Sequence, residues 1–140
     1  MIKERYCSFE VAKLLKEKGF RDNCASAYMT DGDVRDLLEN TVEWDNGLIN
    51  WNSVTHDDLC YWGIAGWNVE CSRPTHQMAM DWLNETHNIF LIVEPYSKTS
   101  CYFSLWEGDD IYRENPLKKD FPSYGETVEA ALKYCLTELI

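Results

Sequence analysis

Apolar residues at helical spacing open the chain. In Phe9-Glu10-Val11-Ala12-Lys13-Leu14-Leu15 they recur at intervals of three and four, and Ser8 stands ahead of them, able to accept a bond from an orphan N–H of the first turn. Gly19 can take the left-handed conformation that ends a helix, with Phe20 folding back on Leu15, so the pattern predicts a helix over 8–18. Residues 24–31 suit a short strand closed by the turn signal Asp31-Gly32-Asp33, and Asp33 can also cap a short helix holding Val34, Leu37 and Leu38. Residues 41–58 mix Asn, Asp and Trp without steady periodicity and predict a long irregular loop or a poorly marked hairpin. From 60 to 71 the residues alternate, with Cys60, Trp62 and Ile64 on one side, then Trp67, Val69 and Cys71 after a phase slip beside Gly66. That pattern predicts a strand with a glycine bulge.

The second half is more regular. A helix is predicted from Pro74 or Thr75 to His87, with Met78, Ala79, Trp82 and Leu83 on one face. Ile89 to Glu94 reads as a buried strand, Pro95 to Ser100 as a turn, and Cys101 to Glu107 as a hairpin partner carrying Tyr102, Ser104 and Trp106 on one face. Gly108-Asp109-Asp110 closes it. After a polar stretch, Ser123 and Glu126 have the spacing of a capping box, and Val128, Ala131, Leu132, Cys135, Leu136 and Leu139 carry a last helix to the C-terminus. This order predicts an α+β fold: a single domain over 1–140, an antiparallel or mixed sheet with about three helices packed on it, and an acidic tryptophan-rich insert at about 41–58.

The helix from Pro74-Thr75-His76-Gln77 through Trp82-Leu83-Asn84-Glu85, the run Tyr124-Gly125-Glu126-Thr127-Val128-Glu129-Ala130-Ala131-Leu132 and the opening Tyr6-Cys7-Ser8-Phe9-Glu10-Val11 carry a resemblance. Together they resemble a group of small uncharacterised proteins common in Bacteroides genomes and their prophages. The resemblance implies a gut-bacterial or phage-related setting and brings no activity with it.

Composition narrows the function classes. At 140 residues, 45% hydrophobic and 14% aromatic, the chain can bury a core, which excludes disorder as its main state. A net charge of -11 repels phosphate backbones and excludes general nucleic-acid binding, although it permits a DNA-mimic inhibitor whose carboxylates stand in for phosphates. The charge concentrates in the middle: residues 1–23 carry +2, 24–72 carry -8 and 73–140 carry -5. No window approaches the roughly 20 apolar residues of a membrane span, and the chain starts directly in charged residues, so a cytoplasmic protein is expected. Its six cysteines are scattered without a C-x-x-C pair and are expected to be reduced thiols, mostly buried.

No constellation points to catalysis. His76 and His87 share a helix face but lie about 16 Å apart at 1.5 Å per residue, too far for one metal ion, so neither a metal nor another cofactor is expected. Cys71 with His76 is expected to be the only nearby cysteine–histidine pair, in acidic surroundings that disfavour a thiolate. The carboxylate pairs Asp31 and Asp33, Asp57 and Asp58, and Asp109 and Asp110 suit solvated turns. The open question is the tryptophans. Trp44, Trp51, Trp62 and Trp67, interleaved with Asn46, Asn50, Asn52 and Asn68, either fill the core or offer flat apolar faces beside amide donors. The leading expectation is a non-enzymatic module binding an unidentified protein partner through Trp44, Trp51, Trp62, Trp67, Asn50 and Asn52. A protein using a cleft by this segment for a small ligand such as a glycan, or for catalysis, is the alternative. Titration of the unfolded chain, purified without reductant, should find six thiols; four or fewer would overturn the reduced assignment.

Overall fold

The computed structural model describes residues 5–36 and 49–140. The fold is α+β, and its contacts divide the chain into two units, Tyr6–Pro74 and Met1–Arg5 with Thr75–Ile140. Among the described residues each unit holds one three-stranded sheet, and all the pairings are antiparallel.

In the Tyr6–Pro74 unit, α1 (Phe9–Glu17) begins where Ser8 Oγ accepts the Val11 N–H at 3.2 Å. It ends at Gly19, whose φ of +95° lets the Phe20 N–H return to the Leu15 carbonyl at 3.0 Å and the Gly19 N–H to that of Lys16 at 3.1 Å. Val11, Ala12 and Leu15 form its buried face. The central strand β1 (Ser26–Met29), buried throughout, lies between β2 (Val34–Asp36) and β3 (Val69–Ser72). Strand β2 stands at Val34, where the sequence offered a short helix whose Leu37 and Leu38 lie outside the described residues, because the Asp31 carboxylate takes the Asp33 N–H at 2.9 Å and turns the chain back tightly enough for Val34 to pair with Tyr28. In β3 the partners of Tyr28 and Met29 are Cys71 and Val69, which leaves Glu70 as an extra residue. Its carbonyl accepts the Lys16 ammonium at 2.6 Å.

The largest departure from the sequence reading is at 60–71. Residues 56–61 form α2 (His56–Tyr61), and the sheet begins only at Val69. The cause lies just upstream: Thr55 Oγ1 accepts the Asp58 N–H at 3.2 Å while the Asp58 carboxylate accepts the Thr55 N–H at 2.9 Å. This reciprocal cap commits the next turn to helix whatever the alternation beyond it. The same Thr55 N–H, seconded by the Thr55 hydroxyl, holds the Asp58 carboxyl below its usual range. Of the irregular stretch expected over 41–58, residues 41–48 lie outside the described residues. Beyond them Ile49 exchanges two backbone bonds with Cys24, at 2.7 and 3.0 Å, and Trp51–Ser53 form a single 3-10 turn.

In the other unit, α3 (His76–His87) is capped by Thr75 Oγ1, which accepts the Met78 N–H at 3.2 Å, and it ends at Asn88 in the left-handed region. Asn88 tolerates that conformation better than most residues with a side chain. Strands β4 (Ile89–Ser97), β5 (Ser100–Glu107) and β6 (Ile111–Arg113) follow in spatial order. Helix α4 (Tyr124–Tyr134) is capped by Ser123 Oγ on the Glu126 N–H at 3.1 Å and runs into a wider π turn, Cys135–Leu139. Ala79, Trp82 and Leu83 of α3, Val128, Ala131 and Leu132 of α4, and Ile89, Phe103 and Leu105 of the sheet are buried. β4 differs from the buried strand expected: Ile89 alone is buried and Phe90 is exposed, since β4 is an edge strand of a sheet with one open face. No membrane-crossing helix exists among the described residues.

Because Trp82 lies in this core at 6% exposure, Trp82→Ala should cost about 3–5 kcal/mol through lost burial and a cavity. Urea denaturation measures it. A loss below about 1 kcal/mol would contradict the packing described.

Candidate functional site

The residues that the sequence singled out fall mainly into structural roles. Trp44 and Asn46 lie outside the described residues. Trp51 is 1% exposed, and its indole N–H donates to the Cys24 carbonyl at 3.0 Å. Its ring stacks on Trp67 at 5.9 Å and meets Trp62 edge-on at 6.5 Å. Asn52 donates to the Phe20 carbonyl at 2.8 Å and accepts the Ser72 N–H at 2.8 Å, while the Asn50 side chain caps the 3-10 turn through the Asn52 N–H at 3.1 Å. Trp51 and Asn52 are therefore core and clamp, a correction to their reading as surface anchors. Trp62 and Trp67 keep half-buried rims, and Asn68 is exposed.

The aromatic surface is elsewhere. Phe90, Trp106 and Tyr112 are direct partners across β4, β5 and β6, so the pleat puts all three side chains on one face in one row. They are 56%, 40% and 42% exposed, and the Trp106 and Tyr112 rings lie 5.0 Å apart. One step along the same face Ser104 is buried, because the chain beyond β6 folds over it and donates the Asn115 N–H to its hydroxyl at 3.2 Å. Two steps along, the cross-strand pair Glu94 and Tyr102 are hydrogen-bonded. The carboxylate accepting from the phenol, with Glu94's charge beside it, pushes Tyr102 up to about 12. The opposite face is the one closed by α3 and α4: Leu105 and Phe103 are buried there, and Phe103 meets Tyr134 at 5.9 Å. The sequence placed Trp106 and Tyr102 on one face correctly. It missed Phe90 because Ile89 to Glu94 was read as a buried strand, and Tyr112 because β6 was read as part of a polar stretch.

A second cluster involves His76, whose side chain is 8% exposed and whose Nε2 lies 3.0 Å from Glu129 Oε1. The buried Nδ1 has no hydrogen-bond partner. Beside this pair runs an open groove of about 740 Å³ lined by Arg5, Lys119, Phe121 and Ser123 among others. Arg5 crosses so close to Gly125 that a β-carbon there would fall 2.6 Å from its Nη1, which accounts for glycine in the first turn of α4. Ser123 Oγ accepts the Glu126 N–H in the cap of α4, and the histidine–carboxylate pair ties α3 to α4.

Cysteine chemistry is also placed differently from the sequence reading. Cys71 is fully buried, and burial pushes the thiols of Cys24, Cys71 and Cys135 up to about 12. None of the six cysteines forms a disulfide. The pair that geometry brings together is His56 and Cys60, one turn apart on α2, with Sγ 3.4 Å from Nε2. Their i, i+4 spacing, once α2 is known to be helical, is the signal that marks them. Among the described residues no three His, Cys, Asp or Glu side chains come together to hold a metal ion.

Compared with protein-family models, curated proteins and solved structures, the chain matches none.

The Glu94–Tyr102 bond has a spectroscopic consequence. The ultraviolet phenolate titration of the wild type minus that of Tyr102→Phe should place Tyr102 near pH 12, and Glu94→Gln should bring it back towards 10. An unmoved titration in Glu94→Gln would remove the bond from the description of this face.

Proposed function

We propose that this chain is a non-catalytic interaction module whose docking surface is the Phe90–Trp106–Tyr112 row. The observation that carries the reading is the row itself: three large aromatic side chains in register across three strands, exposed on a face that no helix covers. Aromatic anchors with a polar surround are the usual energetic centre of a protein interface. Carboxylates dominate that surround. Glu94, Asp109, Asp110 and Glu114 stand against Lys98 and Lys118 along these strands, the turns that join them and the chain that follows, while the Glu107–Arg113 pair, 3.0 Å apart, lies on the opposite face. The partner that fits is a protein with an apolar centre and a basic rim. Such a module suits the reduced, cytoplasmic, phage-related or mobile-element setting expected from the sequence.

A glycan platform is the second reading, favoured by the hydrogen-bonded Glu94–Tyr102 pair on the same face as the row. Immobilised full-length chain, challenged with lysate of its host and separately with a panel of soluble glycans, separates the two. Trp106→Ala and Tyr112→Ala should each abolish capture of the partner protein while leaving stability within about 1 kcal/mol, as for partly exposed positions. Protein capture that survives both substitutions would overturn the proposal. Retention of a glycan but no protein would replace it with the second reading.

A further inference from the structure

We propose that Cys60 is the reactive thiol of this chain, a site of thiol–disulfide exchange in which His56 takes the thiol proton. The pair is built on α2, where positions four apart share a face, and Sγ lies 3.4 Å from Nε2, within reach of an S–H to nitrogen bond. A nucleophile and a base in hydrogen-bond reach are the minimum that such chemistry requires. Exposure sets Cys60 apart. Cys7, Cys24, Cys71 and Cys135 are buried, Cys101 is half-buried with its sulfur accepting from the Thr127 hydroxyl at 3.3 Å, and Cys60 is exposed. An incoming disulfide can therefore reach Cys60 without any opening of the fold.

The step balances as an exchange. His56 Nε2 takes the proton from Sγ, the sulfur attacks one sulfur of a small disulfide, the disulfide bond breaks, and the departing thiolate takes the proton back from His56. Cys60 ends oxidised in a mixed disulfide, and the departing half ends reduced as a thiol. The charge around the site selects the substrate. Asp57 and Asp58 adjoin it on α2, so neutral and cationic disulfides are favoured over anionic ones.

Cystamine, a dicationic disulfide, is the probe, with oxidised glutathione as the anionic comparison, on the full chain. Intact mass and peptide mapping of the native wild type should show one rapid addition, on Cys60, quicker with cystamine than with glutathione. Cys60→Ser should lose it. His56→Gln should slow it about tenfold or more, as loss of a general base does, with an unchanged circular dichroism spectrum. Added imidazole should restore the rate in His56→Gln, which a merely structural histidine would not allow. The proposal is overturned if the rapid addition maps to another cysteine, if His56→Gln reacts as quickly as wild type, if imidazole restores nothing, or if glutathione reacts as fast as cystamine.

Discussion

Irregular backbone can be buried only if its N–H and C=O groups find partners, and in the Tyr6–Pro74 unit two neighbouring side chains meet that demand. Trp51 satisfies the Cys24 carbonyl, and Asn52 satisfies the Phe20 carbonyl and the Ser72 N–H. These bonds join the end of α1, the approach to β1 and the end of β3, and at Cys24 the indole adds to the Ile49 N–H that the same carbonyl accepts at 3.0 Å. The flat ring that reaches Cys24 also supplies the surface on which Trp67 stacks. Polar satisfaction and apolar packing thus come from the same pair, and that leaves neither residue available to a ligand.

The other unit follows a different constraint, the parity of its sheet. Because β4 and β5 stay in register from Ile89 to Pro95, every inward residue on one strand is matched by an inward residue on the next. Leu105 and Phe103 face the helices, so Trp106 must face away, and Phe90 and Tyr112 with it. Covering α3 and α4 on one side therefore determines that the aromatic row lies open on the other.

How much of this was legible depends on range. Caps are local, and Ser8, Gly19, Thr75 and Ser123 mark their helix ends in the sequence as they do in three dimensions. Thr55 and Asp58 carry an equally local signal, but the alternation from Cys60 onwards competes with it, and the helix of His56–Tyr61 was hidden behind a strand pattern. The His56–Cys60 pair was lost with it, since four-residue spacing means proximity only in a helix. The aromatic row is non-local: Phe90, Trp106 and Tyr112 become neighbours only through a register that the hairpin and the short β6 establish. Trp51 reads the same in sequence as a surface anchor would, because its partner, the Cys24 carbonyl, is a backbone group with no signature of its own.

The row lies beside β4, a nine-residue strand at the sheet's margin in which Pro95 removes one N–H. An exposed aromatic face next to a strand margin that is unpaired among the described residues is a hazard when many copies are made together. The short-range attraction between two such faces is opposed by the excess of 24 acidic over 13 basic side chains, which makes every pair of chains repel before they touch. That repulsion reaches only about 8 Å at physiological ionic strength and shrinks as salt is added. The acidity of this chain thus acts as a colloidal brake: it lets an exposed aromatic face stay open, and it makes the repulsion between two such faces a function of the surrounding salt.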